Sequence, residues 1–249
     1  MSREPVYDIA VVLGRALFRS LNLCRRVRGL ENLPRTGGAV LAITHFSYLD
    51  FALTEWAMHR STGRKIRYLA TAKSFEHPVA GPLMRAMKHI PVDREDGMAA
   101  YRRSLEVLKE GEILGVFPEA QVNVSWTVGE IKAGAVRMAA AAGVPLIPVV
   151  LWGSHRVLTR DRRFQLRKAW GSPVLISFGE ALYPRRRDAA ETAVKLRNKL
   201  SEMLDELQRA YPLQPAPGTD PWWLPAHLGG TAPRPVLSTA SGKTAGRTS

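Results

Sequence analysis

Val6, Ile9, Leu13, Leu17, Leu21 and Cys24 recur at helical spacing, with Pro5 before them and Gly29 after them. This spacing predicts a helix from residue 5 to about 28. Asp8, Arg15, Arg19, Asn22 and Arg26 fall on its other side. Such a basic amphipathic helix suits two settings that can hold at once. It can pack on its own domain with a solvated charged face, or lie in a bilayer interface with its arginines on lipid phosphates.

After the turn at Asn32–Gly38 the pattern changes to short apolar runs alternating with helical stretches. Strands are expected at Ala39–Ile43, Arg67–Ala70, His89–Val92, Ile113–Phe117, Leu146–Leu151 and Val174–Phe178. Helices are expected at 50–60, 77–87, 97–109, 132–142 and 188–210. That alternation predicts a single α/β domain with a mostly parallel or mixed central sheet flanked by helices, preceded by the amphipathic helix. The organisation expected is a membrane-associating helix at 1–30, a catalytic domain at 31–210 and a Pro/Gly-rich disordered tail at 211–249. Within that tail, Pro221-Trp222-Trp223-Leu224-Pro225 is too apolar to leave in water and is expected to dock on the body or at a bilayer interface.

Composition narrows the partner. The 249 residues carry 36 Lys+Arg against 22 Asp+Glu, a net charge of +14. Nucleic acid, an anionic leaflet and a phosphorylated or CoA-bearing substrate all fit that charge. No recognised nucleic-acid motif accompanies it, so no nucleic-acid partner is expected. One cysteine, Cys24, gives neither a disulfide framework nor a thiolate cluster. The six histidines are scattered, so no metal site is expected. No segment reaches the roughly 18 uninterrupted apolar residues of a span, and no secretory signal is visible. A peripheral place on the cytoplasmic face of the plasma membrane is the expectation.

The candidate chemistry sits in Thr44-His45-Phe46-Ser47-Tyr48-Leu49-Asp50. It places an imidazole at the carboxyl end of a predicted strand and a carboxylate five positions on, entering a helix. A neutral imidazole can take a proton from a hydroxyl while the carboxylate fixes its tautomer. Ser154, in Trp152-Gly153-Ser154-His155, lacks the second glycine of a nucleophile elbow. The simplest use of the pair is therefore direct activation of an acceptor hydroxyl.

Four ordered blocks between about residues 36 and 180 resemble the glycerolipid acyltransferases, in particular bacterial 1-acylglycerol-3-phosphate (lysophosphatidic acid) acyltransferases. They are His45 to Asp50, Ile90-Pro91-Val92-Asp93-Arg94, Val116-Phe117-Pro118-Glu119 and Val144-Pro145-Leu146-Ile147-Pro148-Val149, with Lys132 and Gly134 also fitting. The resemblance implies that His45 is the general base and Asp50 its orienting partner. It makes Arg94 the acceptor-phosphate ligand, and Pro118 and Glu119 part of the acceptor site. The implied reaction is acyl transfer from acyl-CoA or acyl-carrier protein, with no cofactor, to a lysophospholipid at an anionic membrane surface. Most relatives continue after the glutamate as Gly-Thr-Arg-Ser, whereas this chain has Ala120-Gln121-Val122-Asn123. The phosphate-gripping arginine is thus Val122. Either Lys73 or Lys132 replaces it, or the acceptor is a different lysophospholipid or a glycolipid; a non-catalytic anionic-lipid-binding protein is the other alternative.

Overall fold

The computed structural model describes residues 4–93 and 96–234. Its elements, in order, are α1 (Pro5–Ser20), β1 (Cys24–Arg28), β2 (Ala39–Ile43), α2 (Asp50–Thr62), β3 (Ile66–Thr71), α3 (Ala72–Glu76), α4 (Ala80–Ala86), β4 (Ile90–Val92) and α5 (Gly97–Lys109). They continue with β5 (Ile113–Val116), α6 (Gly134–Ala142), β6 (Leu146–Trp152), α7 (Leu166–Ala169), β7 (Pro173–Phe178) and α8 (Ala189–Arg209). The seven strands form one mixed sheet in the order β1-β7-β6-β2-β5-β3-β4. Five of them, β6, β2, β5, β3 and β4, run parallel, and β7 pairs antiparallel with β6.

Every residue of β2 and of β6 is buried, as parallel strands covered on both faces should be. Val40, Ala42, Leu114 and Val150 face one cluster, closed by α5, α6 and α8. Leu41, Ile43, Ile113 and Val149 face the other, closed by Phe18 of α1, by α2 and by Ala169. Because the five central strands are parallel, their carboxyl ends and the loops that follow lie along one edge. Ligands of such sheets bind there.

One expectation about the N-terminal segment, its helical extent, is corrected, and its apolar stripe can be placed. The helix ends at Ser20, and Asn22 takes a left-handed backbone, φ 49°. Cys24–Arg28 is instead the edge strand β1, paired parallel with β7. An arginine-rich edge blunts further strand addition. The apolar stripe is also turned outward. Val6, Ile9, Leu13 and Leu17 are exposed, whereas Tyr7, Val11 and Phe18 are buried. The helix carries two apolar stripes, and the larger aromatic side chains win the core. Burying a side chain such as Val11 or Phe18 contributes about 1.5–3 kcal/mol.

The tail is also more ordered than its composition implies. Residues 211–234 fold back over the body, with Tyr211, Trp223 and Leu224 in the core cluster beside α8. The Trp126 indole donates to the Trp222 carbonyl at 2.7 Å, and the His155 Nε2 meets the Trp223 carbonyl at 3.0 Å. The aromatic island docks on the body because its rings complete the β6–α8 face. Residues 235–249 of the expected tail lie outside the described residues.

Candidate active site

The site begins where β2 stops. Ile43 leads into buried Thr44, and His45 follows in a turn that ends at Asp50, the first residue of α2. Asp50 Oδ2 accepts from the backbone amides of Phe46 at 2.8 Å and Ser47 at 2.7 Å. The same oxygen lies 3.3 Å from His45 Nδ1, and Oδ1 accepts from the Ser154 hydroxyl at 2.7 Å. The carboxylate is fully buried and held from four directions. This arrangement puts the proton on Nδ1 and leaves Nε2 with its lone pair, the tautomer assigned from these partners. The ring rests on Phe117, centroids 4.1 Å apart, with its side chain 17% exposed. It is braced, yet open to solvent on one side.

A second layer fixes the turn from the loop after β6. The Ser47 hydroxyl donates to the carbonyl of Leu158 at 2.6 Å and accepts the Leu49 amide at 3.0 Å. Thr159 Oγ1 donates to the Phe46 carbonyl at 2.7 Å. Gly153 makes this loop possible, at φ +94° and where a β-carbon would sit 2.3 Å from the Pro173 carbonyl. Only glycine accepts both constraints. Ser154, a poor nucleophile candidate in sequence, thus serves to hold Asp50.

Beside β2 in the sheet, β5 leads into Phe117, buried Pro118 and Glu119. Glu119 Oε2 accepts from Asn123 Nδ2 at 2.6 Å and from the Gly129 amide at 3.1 Å. Its Oε1 is buried without a partner. Burial pushes this carboxyl above its usual range, against the Asn123 and Gly129 hydrogen bonds and the His45 amide and ring, which pull it down. The Asn123 backbone N–H donates to the His45 carbonyl at 2.8 Å, tying the two loops together. Asn123, replacing the usual serine of this block, is a residue that spacing alone does not identify.

The remaining candidates are placed less closely. Lys132 is exposed, and its amide donates to the Pro118 carbonyl at 2.9 Å, which sets it beside the Glu119 loop. Lys73 is exposed on α3, at the carboxyl end of β3, with β5 lying between that strand and β2. Arg94 lies outside the described residues; the chain approaches it through β4, the outermost strand on that side. Among the described residues, no three His, Cys, Asp or Glu side chains gather to hold a metal ion, and no hydroxyl or thiol is hydrogen-bonded to the His45 ring.

A histidine with an orienting carboxylate, at the carboxyl edge of a parallel sheet, is an arrangement able to take a proton from a bound hydroxyl. The chain belongs to the acyltransferase family, whose model matches residues 24–152. It is 28% identical over 185 residues to the 1-acyl-sn-glycerol-3-phosphate acyltransferase of Bacillus subtilis, covering 74% of this chain and 90% of that protein. It is 30% identical over 136 residues to the chloroplastic acyltransferase LPAT1 of Arabidopsis thaliana, covering 53% of this chain and 37% of that one. The fold is similar to that of the Thermotoga maritima 1-acyl-sn-glycerophosphate (LPA) acyltransferase PlsC. The TM-score is 0.68 at 20% identity, over 85% of this chain and 81% of that one.

Proposed function

We propose that the protein moves a fatty acyl group from an acyl thioester, acyl-CoA or acyl-carrier protein, to the free glycerol hydroxyl of 1-acylglycerol-3-phosphate, giving phosphatidic acid. The observation that carries this reading is the His45 ring held at 3.3 Å by a fully buried Asp50. His45 Nε2 takes the hydroxyl proton as the oxygen attacks the thioester carbonyl. The tetrahedral oxyanion collapses, the C–S bond breaks, and the imidazolium returns its proton to the departing thiolate. Asp50 stabilises the imidazolium between those events. The partnerless Glu119 Oε1 accepts a hydrogen bond from the acceptor, while Arg94, Lys73 and Lys132 supply cations for its phosphate. The relatives named for 1-acylglycerol-3-phosphate support this acceptor. Val122 favours one second reading, a lysolipid acceptor with a different headgroup, because a charge-assisted phosphate contact contributes about 1.5–3 kcal/mol.

Membrane attachment is peripheral in this reading. Among the described residues no helix is long and apolar enough to cross a bilayer. The outward stripe of Val6, Ile9, Leu13 and Leu17 supports α1 as the element laid on the cytoplasmic face of the plasma membrane. The test is an acceptor panel with one labelled acyl-CoA, comparing lysophosphatidic acid with neutral and glycosylated lysolipids. The wild type should prefer lysophosphatidic acid, and His45→Ala should lose about 10²–10⁴-fold in rate with an unchanged melting temperature. Most activity retained in His45→Ala would sink the mechanism, and preference for an unphosphorylated acceptor would sink the headgroup assignment.

A further inference from the structure

Residues 160–170 read Arg-Asp-Arg-Arg-Phe-Gln-Leu-Arg-Lys-Ala-Trp, five cations against one acid. Residues 160–168 are exposed without a break, then Ala169 is buried and Trp170 is exposed again. Phe164, Leu166 and Trp170 are 49%, 59% and 59% exposed. Three large apolar side chains kept in water within one short basic segment call for a partner.

The segment is held firmly at both ends. Thr159 is tied to the Phe46 carbonyl, and the Gly171 amide donates to the carbonyl of Leu21, just past the end of α1. Beside it lies a cleft of about 470 Å³, lined also by Trp222 and Thr231–Pro233. Arg163 and Lys168 reach into that cleft, whereas Phe164, Leu166 and Trp170 do not line it. Among the described residues, Arg163, Arg167 and Lys168 form no ion pair; Arg160 and Arg162 pair with exposed Asp161 and Asp220 at 3.4 and 3.8 Å. The segment therefore offers phosphate-binding cations beside a row of apolar side chains.

We propose that this segment is a second membrane contact, seating the phosphate of an anionic phospholipid headgroup on the cleft cations while Phe164, Leu166 and Trp170 enter the acyl boundary. Charge and chemistry select that occupant. The chain's own residues 235–249 contain no Asp or Glu and add two cations, Lys243 and Arg247, so they bring the arginines no acidic side chain. A soluble nucleotide would engage the cations but leave the three apolar side chains in water. The Arg162 guanidinium, 4.0 Å from the Trp222 ring, already covers a face on which a base would stack. An anionic leaflet satisfies both halves of the segment. Its junction with Leu21 sets this contact at the end of α1, so that a second anchor would fix how the molecule sits on the surface.

The contact is read on vesicles without acyl donor or acceptor, so it stands or falls separately from acyl transfer. The full chain is floated with phosphatidylcholine vesicles and with mixed phosphatidylcholine–phosphatidylglycerol vesicles. Arg163→Gln/Arg167→Gln/Lys168→Gln should lower partition onto the mixed vesicles on the order of 100-fold, from about 1 kcal/mol per cation, and leave the neutral vesicles unchanged. Phe164→Ser/Trp170→Ser should lower partition onto both. Turnover of both variants with a monomeric short-chain lysophosphatidate should equal the wild type's, which shows an intact fold. Unchanged partition of either variant would overturn the proposal. So would saturable binding of 3′,5′-adenosine bisphosphate that the cation variant abolishes, since the cleft would then serve a soluble anion.

Discussion

The turn that carries His45 and the clasp that holds α1 both bury carboxylates, and they neutralise them by different means. Three of the four groups that hold Asp50 come with the turn itself, two backbone amides three and four residues away and an imidazole five residues away, and Ser154 adds one from a distance. The clasp is assembled from distant elements. Glu4 takes both guanidinium nitrogens of Arg67 at 2.8 Å and Lys88 Nζ at 2.7 Å. Glu55 takes the Tyr7 hydroxyl at 2.7 Å and the Ile66 amide at 3.0 Å on one oxygen, while its other oxygen has no partner. Backbone amides cannot leave Asp50 unless the turn unfolds. The clasp's side chains lose their partners whenever α1 lifts. The carboxylate of Asp50 is thus built for constancy, and the clasp makes attachment of the helix conditional on charge.

The largest effect should come from breaking the clasp. Glu4→Gln leaves buried Arg67 short of its bidentate partner, and removing one member of a buried pair costs about 3–5 kcal/mol. Thermal unfolding should show that loss, while turnover per folded molecule with a soluble substrate stays unchanged. Glu4→Leu/Arg67→Met should recover most of the stability, because a buried pair replaced by apolar groups is often neutral. If the double variant is as unstable as the single one, the clasp is more than an ion pair.

Next is the pH dependence of that same region. Burial raises Glu55 from 4.5 to about 7, despite the Tyr7 and Ile66 hydrogen bonds and the nearby Arg67 and Lys65 charges. A raised folded value means that the folded protein holds this proton more tightly than the unfolded chain does. The stability it contributes is full below about 4.5 and is lost as pH rises through about 7, on the order of 3 kcal/mol in total. Glu4 runs the other way. Burial alone would raise it, but Arg67 and Lys88 bring it down to about 2. Its contribution is present above the usual carboxylate range and fades as pH falls toward 2. Buried His89 and His155, lowered by desolvation to about 4 and about 3, add an upward slope to any variant over the same range. The Glu55 contribution is therefore read as a difference: in denaturant titrations between pH 4 and about 8 the wild type should lose stability relative to Glu55→Gln as pH rises. An equal slope in both would remove Glu55 as the cause.

The same contrast decides what can be read from the chain alone. Strands β2, β5, β6 and β7 are legible because doubly covered strands are continuous apolar runs. The pair His45 and Asp50 is legible because its geometry is local. Ser154, 104 residues from Asp50, and the Glu4–Arg67 pair, 63 residues apart, carry no short-range signal. α1 misleads for a related reason. Periodicity finds a stripe, but only packing decides which of two stripes faces the core, and Tyr7 is claimed by Glu55 and Ile66. β1 is missed because the arginines of Cys24–Arg28 read as the continuation of a charged helix face.

A smaller loss is expected at the His45 turn. Ser154→Ala removes the 2.7 Å hydroxyl donor to Asp50 Oδ1 and leaves that buried oxygen without a side-chain partner. A hydrogen bond to a charged group contributes about 1.5–3 kcal/mol, but the two turn amides and His45 remain. Stability should fall by about 1.5 kcal/mol, and kcat should fall by roughly 10-fold with KM unchanged, since Asp50 orients the base without touching substrate. A change in KM alone would place Ser154 in the acceptor site instead.

The smallest effect should be a gain. Ala120 stands where most relatives have glycine, and its backbone is left-handed, φ 58°. The residue is exposed, so its methyl group gains little from packing. An L-residue pays about 1–2 kcal/mol in that conformation, part of which glycine returns through greater freedom in the unfolded chain. Ala120→Gly should therefore stabilise the protein by about 0.5–1 kcal/mol. The same bend delivers Glu119 to its place behind His45, with the Ala120 amide donating to the Phe117 carbonyl at 3.0 Å. Relieving it should leave kcat unchanged if alanine only strains the loop. If activity falls as stability rises, the strain itself holds Glu119 against Asn123, and this chain's departure from the family block belongs to its chemistry.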